Sequence, residues 1–294
     1  MRLIDSHHHV WNLAARPQPW MQRGVMDSLR RDFDLGDLDT AASGHGLLAS
    51  IVVQTVADTA ETVELIDATA RRTPPTAVVG YVDLADPSLD RTLDELVARS
   101  ARRSLVGIRS LVQYEPDISW LQRTDVLAGF RRLADLGLVH DLLIVPSQIA
   151  PTLAAIDAVP DGRYVIDHLA KPDIAGGAWE PWARGIAALA ERDNVVAKVS
   201  GLVTEADWSK WTTEQIRPYV DHALHCFGAD RLMFGSDWPV CTLAASYDAV
   251  VEAAASWTAE LTASERESIF VTNAVRVYQL SDLLDGSSST QESI

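Results

Sequence analysis

Leu3-Ile4-Asp5-Ser6-His7-His8-His9-Val10-Trp11 is the stretch on which the reading of this chain turns. Apolar residues lead straight into three histidines. Alternate side chains of a β-strand face one side, so a strand here sends His7 and His9 one way and His8 the other. Two imidazoles projecting from one strand can reach a single ion, and histidine is a frequent ligand of divalent metals. A tag remnant or a chance run is the bland alternative, but a tag sits outside an apolar strand pattern. Two ligands do not make a site, so other strands must bring more to the same end.

Outward from that stretch the chain repeats one theme: a short β-branched run, a loop, then an amphipathic helix. Strands are predicted at 2–7, 47–54, 77–83, 105–112, 138–145, 163–167, 195–199 and 231–235. Helices are predicted between them, at 60–72, 88–102, 125–136, 148–158, 181–191 and 216–226. Most strand runs are almost continuously apolar, as strands covered on both faces of a parallel sheet should be. The economical fold is a single (β/α)8 TIM barrel, which typically needs about 250 residues. A doubly wound open sheet is the alternative, but no Gly-rich phosphate loop follows the first strand. The barrel is assigned to residues 1–280. Within it, 10–46 is too long for a simple connection and holds Trp11, Arg16, Trp20, Arg23 and Arg30, so it is read as a lid or wall over the pocket. Residues 281–294 are read as a polar tail.

Composition narrows the function. Of the 294 residues, 47% are hydrophobic, enough for a large core. No apolar run approaches the ~18 to 20 residues of a membrane span, so a soluble, cytoplasmic protein with no membrane partner is expected. The net charge of −16 argues against nucleic acid, which needs a basic face. Cys226 and Cys241 lie in different elements and read as reduced thiols. An outer ring of helices offers faces for a homodimer, and the oligomeric state stays open.

Catalytic side chains of such barrels sit at the C-terminal ends of the strands. The first strand ends in His7 and His9, the sixth in Asp167-His168, the eighth in Ser236-Asp237-Trp238. His7, His9, His168 and Asp237 therefore converge on one mouth, and such a set suits Zn²⁺ or Mn²⁺ with water completing the shell. Asp237 is the candidate general base, with His168 beside it. Arg109, Lys171 and Lys198 fall at or near the mouth, where a cation binds a carboxylate, hydroxyls or an oxyanion. Lys198 has an ion pair with Asp167 or Glu205 as its alternative, and Glu115 is a candidate tether for Arg109. Trp238 can wall the pocket, Trp11 and Trp20 can stack on a ligand ring, and Gln54 and Gln113 can donate or accept hydrogen bonds there. His45, His140, His222 and His225 are read as surface or packing histidines, and Asn273 as a helix cap or a substrate contact.

The segments His7-x-His9, Asp167-His168-Leu-Ala-Lys171-Pro and Gly235-Ser-Asp237-Trp-Pro resemble the amidohydrolase superfamily. More closely they resemble its amidohydrolase-2-like branch of sugar-lactone hydrolases, those of L-fucono- and L-rhamnono-lactones. Gly107-Ile-Arg109, Lys198-Val-Ser-Gly201-Leu-Val-Thr-Glu205 and Asn273-Ala are similar to that branch too, and the likeness runs from residue 3 to about 280. The resemblance implies a barrel that hydrolyses a cyclic ester, with a small-molecule lactone, most simply a sugar aldonolactone, as substrate. Members of the branch differ in whether they use a metal. This chain departs from the superfamily's two-metal pattern: Arg109 and Ser110 stand where a lysine would close strand four, and strand five runs into Ile144-Val145-Pro146. One divalent ion, or none, is expected. The alternatives are a metal-independent lactonase of an aromatic-catabolism dicarboxylate clasped by Arg109 and Lys171, a non-oxidative decarboxylase, and a barrel that only binds ligand or metal.

Overall fold

The apolar runs become eight parallel strands in a computed structural model that describes residues 1–100 and 103–288. They are β1 (Arg2–His8), β2 (Gly46–Val53), β3 (Thr76–Gly80), β4 (Leu105–Ser110), β5 (Val139–Leu142), β6 (Tyr164–Ile166), β7 (Val195–Val199) and β8 (Leu232–Phe234). Neighbours in sequence are neighbours in the sheet throughout. The ring closes where β1 meets the end of β8: His9 N donates to Trp238 O (2.7 Å) and Asp237 N to His7 O (2.8 Å). Every residue of β3, β4, β5 and β7 is buried, which suits their largely apolar make-up and leaves Arg109, His140, Asp141 and Lys198 as buried polar exceptions.

Helices Thr59–Thr69, Leu89–Arg99, Thr124–Leu136, Ile149–Ala158, Trp182–Ala190 and Thr213–Phe227 form the outer ring. Local chemistry sets their ends. The Asp58 side chain accepts from Ala60 N and the Thr212 hydroxyl from Gln215 N, while left-handed Gly137 ends its helix. Among the described residues no helix is long and apolar enough to cross a membrane. Cys226 and Cys241 are both free thiols.

The strands stop earlier than the apolar pattern does. β3 ends at Gly80, β4 at Ser110 and β5 at Leu142, and the leftover apolar residues turn into the loops that build the mouth. The helix expected to reach Arg102 ends at Arg99, and residues 101–102 lie outside the described residues. Segment 10–46 is more ordered than a loop. It contains helix Leu35–Ala41, opened by a capping box on Asp34, and it is pinned by Trp11 and Phe33 exchanging backbone hydrogen bonds. The polar tail begins as a helix, Ser281–Ser288, because Leu283 packs into the core; residues 289–294 lie outside the described residues.

Candidate active site

The site is assembled from the C-terminal ends of β1, β6, β7 and β8. Strand parity puts His7 and His9 together, their Nε2 atoms 3.2 Å apart, while His8 is buried with both ring nitrogens unpartnered. Asp5 stitches β1 to the segment after β8. Its Oδ1 accepts from Ser236 N (2.9 Å) and His7 N (3.2 Å), and its Oδ2 from Ser236 Oγ (2.6 Å). After β6 the chain makes four successive left-handed residues, His168 (φ 52°), Leu169 (50°), Ala170 (58°) and Lys171 (51°). Each non-glycine residue there costs roughly 1–2 kcal/mol. The Trp182 indole, donating to Leu169 O (2.7 Å), helps hold this turn. Ser200, two residues past Lys198 on β7, meets His168 Nδ1 at 2.8 Å. Gly201 has φ 65°, and a Cβ there would stand 2.5 Å from His168 Nδ1, so the position requires glycine twice over.

One carboxylate faces three imidazoles. Asp237 Oδ1 lies 3.5 Å from His9 Nε2, 3.8 Å from His7 Nε2 and 3.9 Å from His168 Nε2. A tetrahedral ion with bonds of about 2.0–2.1 Å would separate its ligands by roughly 3.4 Å, and these spacings lie near that edge length. Candidate ligand atoms of His7, His168 and Asp237 all fall within 4.8 Å of one another, and His9 stands beside them. The outer nitrogens are tied back. Val53 O, which can only accept, takes a hydrogen bond from His9 Nδ1 (2.7 Å), leaving His9 Nε2 with its lone pair toward the centre. The donor set fits one divalent cation.

The electrostatics agree. Burial pushes the Asp237 carboxyl up, but His168, His9 and Lys171 outweigh it and hold the group below the usual carboxylate range. Burial pushes His168 down to about 4 against the pull of Asp237 and Asp167, and it carries His7 well below its ordinary value. At neutral pH these two imidazoles are therefore neutral and Asp237 is ionised, the forms a metal ligand must take.

Beneath this cluster lies a second one. Lys198 is fully buried, with Nζ 2.5 Å from Asp141 Oδ2 and 3.1 Å from Asp167 Oδ1. Tyr278 OH donates to Asp141 Oδ2 (2.7 Å), and Arg109 Nη1 lies 3.3 Å from Asp167 Oδ2. Burial opposes ionisation of Asp167, yet Lys198, His7 and Arg109 together hold its carboxyl well below the usual range. Lys198 thus lies under the mouth rather than in it, paired with Asp167 and also with Asp141, which the sequence reading did not single out. Glu205 pairs with Lys171 instead. Glu115 is not the tether of Arg109; Asp167 and the Gln54 carbonyl hold it.

A cavity of about 280 Å³ opens above the carboxylate, lined by His9, His168 and Asp237 and, further out, by Arg109, Lys171, Gln113 and Trp20. Other expected contacts lie elsewhere. Trp11 is buried, donates Nε1 to Arg31 O and packs edge-on against Trp20 and Phe33. Trp238 is buried against Phe33, and Gln54 is buried behind Arg109. Those three side chains shape the wall from behind. The sequence reading missed Gln22, Met26, Thr204 and Trp208, which face the cavity from segment 10–46 and the β7 loop. His140 packs as expected, against Ser110 Oγ (2.9 Å) and the Phe130 ring. Asn273 braces Ala229 O and Leu232 O, away from the cavity.

A model of the amidohydrolase family matches residues 4–280. The chain belongs to the amidohydrolase family. Among its relatives, an L-fucono-1,5-lactonase of Burkholderia multivorans is 37% identical, with 96% of this chain and 97% of that protein covered. An L-fucono-1,5-lactonase of Burkholderia ambifaria is 34% identical over 83% of this chain and 82% of that protein. A crystal structure of a B. multivorans amidohydrolase with bound zinc superposes with a TM-score of 0.89 at 36% identity, covering 95% of this chain and 99% of that one.

Proposed function

We propose that this amidohydrolase opens a neutral sugar lactone, L-fucono-1,5-lactone or a close analogue, by adding water across the ring ester. One observation carries the reading: three imidazole nitrogens and an ionised carboxylate converge at the base of a small cavity. The substrate class follows from the cations of that cavity. Lys171 is already paired with Glu205, so a dicarboxylate clasped there would have to displace that internal partner. A polyol needs no displacement, because the Lys171–Glu205 pair offers a donor and an acceptor side by side, with Gln113 and Trp20 on the other walls. The likeness to two L-fucono-1,5-lactonases supports the same choice.

His7, His9, His168 and Asp237 would hold the ion, and their nitrogen-rich set favours zinc. Bound there, zinc would polarise the ester carbonyl and make water acidic near neutrality. Asp237 takes a proton from the attacking water as the carbon–oxygen bond forms. As the ring opens, the same carboxyl returns that proton to the departing ring oxygen, so the base is regenerated within one turnover. Arg109, facing the cavity, donates to the carbonyl oxygen as charge gathers on it. Trp20, carried by the lid, covers the substrate.

The test is proton release on a panel of γ- and δ-aldonolactones, a pyrone dicarboxylate and a hydroxybenzoate, with CO₂ followed in parallel. Proton release on the aldonolactones without CO₂ is the expected result. Chelation should abolish at least nine-tenths of the rate, and zinc or manganese should restore it. CO₂ release, or activity confined to the dicarboxylate, overturns the reading.

A further inference from the structure

We infer that Lys198, sealed beneath the site, is a positioning residue for His7: it fixes Asp167, and Asp167 fixes which nitrogen of His7 faces the metal position. The metal arm of this inference rests on the reading above; the tautomer arm does not. Arg109 Nη1, which can only donate, lies 3.4 Å from His7 Nε2, so that nitrogen presents a lone pair. The ring proton then belongs on Nδ1, which lies 3.2 Å from Asp167 Oδ1. The two oxygens of Asp167 are held by different cations. Lys198 Nζ takes Oδ1 at 3.1 Å, and Arg109 takes Oδ2 at 3.3 Å. The carboxylate is thus braced by a cation on each side. Lys198 Nζ also stands 3.3 Å from His7 Nδ1, so the two nitrogens crowd the same Asp167 oxygen. Lys198 is immobilised in turn by Asp141 at 2.5 Å, itself held by the Tyr278 hydroxyl.

A carboxylate behind a ligating histidine sets its ring orientation and tautomer, and loss of such support commonly weakens metal binding by 10–100-fold. Here the support is itself supported, so the effect of β7 on the metal passes through two buried contacts. The competing account is that Lys198 only neutralises Asp141 and props the barrel floor.

The pair Lys198→Met/Asp141→Asn separates the two. It removes one buried charge of each sign, leaving Arg109 and Asp167 balanced. We expect this variant to melt close to the parent, to bind zinc about 10–100-fold more weakly, and in the zinc-free state to show His7 as a mixture of tautomers by imidazole ¹⁵N NMR. Parental zinc affinity together with an unmixed Nδ1–H His7 overturns the proposal. Should the variant fail to fold, the zinc-free parent decides: an Nδ1–H tautomer at His7 supports the proposal, and an Nε2–H tautomer overturns it. A parent that takes up no zinc overturns the metal reading alone, and the tautomer comparison still judges Lys198.

Discussion

The barrel of this amidohydrolase contains two buried polar layers, and they differ in where their hydrogen bonds go. In the lower layer Lys198, Asp141, Asp167, Tyr278 and Arg109 turn their charged and hydroxyl groups toward one another. In the upper layer His7, His9, His168 and Asp237 aim their free atoms at one another's neighbourhood and tie their other atoms outward. Both layers are buried. What separates scaffold from chemistry is therefore direction rather than burial or charge.

That contrast can be broken experimentally. The largest expected effect is at Asp237. Its replacement by Asn should lower kcat by about a thousandfold, the middle of the range for a lost general base, with little change in melting temperature. A variant turning over within tenfold of the parent would remove Asp237 from its role. Gly201→Ala comes next. The new Cβ would press on His168 Nδ1 from 2.5 Å and displace a ligand, so zinc titration should show affinity reduced by more than tenfold. Glu205→Gln, which frees Lys171 at the rim, should raise KM for a neutral lactone roughly tenfold and tighten inhibition by a small dicarboxylate. Unchanged inhibition would mean that the Lys171–Glu205 pair does not set the preference for neutral substrates.

The smallest effect concerns a buried histidine outside both layers. Burial pushes His140 down to about 3. The unfolded chain, with an ordinary imidazole near 6.5, takes up a proton first as pH falls. The neutral folded form thus loses stability below about pH 6.5, and the loss levels off near pH 3. Between pH 7.5 and 5.5 this amounts to roughly 1 kcal/mol. Urea unfolding of His140→Gln at both values should show a pH dependence smaller by that amount; an identical dependence would refute the assignment.

Much of this was legible in the chain itself. Strand parity makes His7 and His9 neighbours, and the barrel rule sends His168 and Asp237 to the same end. Both are local patterns joined to a single topological rule. The lower layer was harder. Asp141 sits inside Leu138-Val-His-Asp-Leu-Leu, where only the inward direction of one residue reveals a counter-ion for a lysine two strands away. The exchange of partners between Lys198 and Lys171 was illegible for a related reason. Glu205 follows β7 and is close in sequence to Lys198, but Lys198 points down the barrel while the left-handed turn lifts Lys171 to the rim. Of the three tryptophans expected to meet substrate, only Trp20 does face the cavity, because Trp11 and Trp238 are consumed in clamping the lid through Phe33.

The left-handed turn from His168 to Lys171 gears two tasks to one backbone. In the proposed function, the residue that would hold the ion and the residue that would meet the lactone ride on the same four-residue turn, so a shift of one would carry the other with it. A lineage seeking a new sugar would find this wall frozen, and would have to remodel the lid around Trp20 to Met26 or the Thr204–Trp208 loop instead.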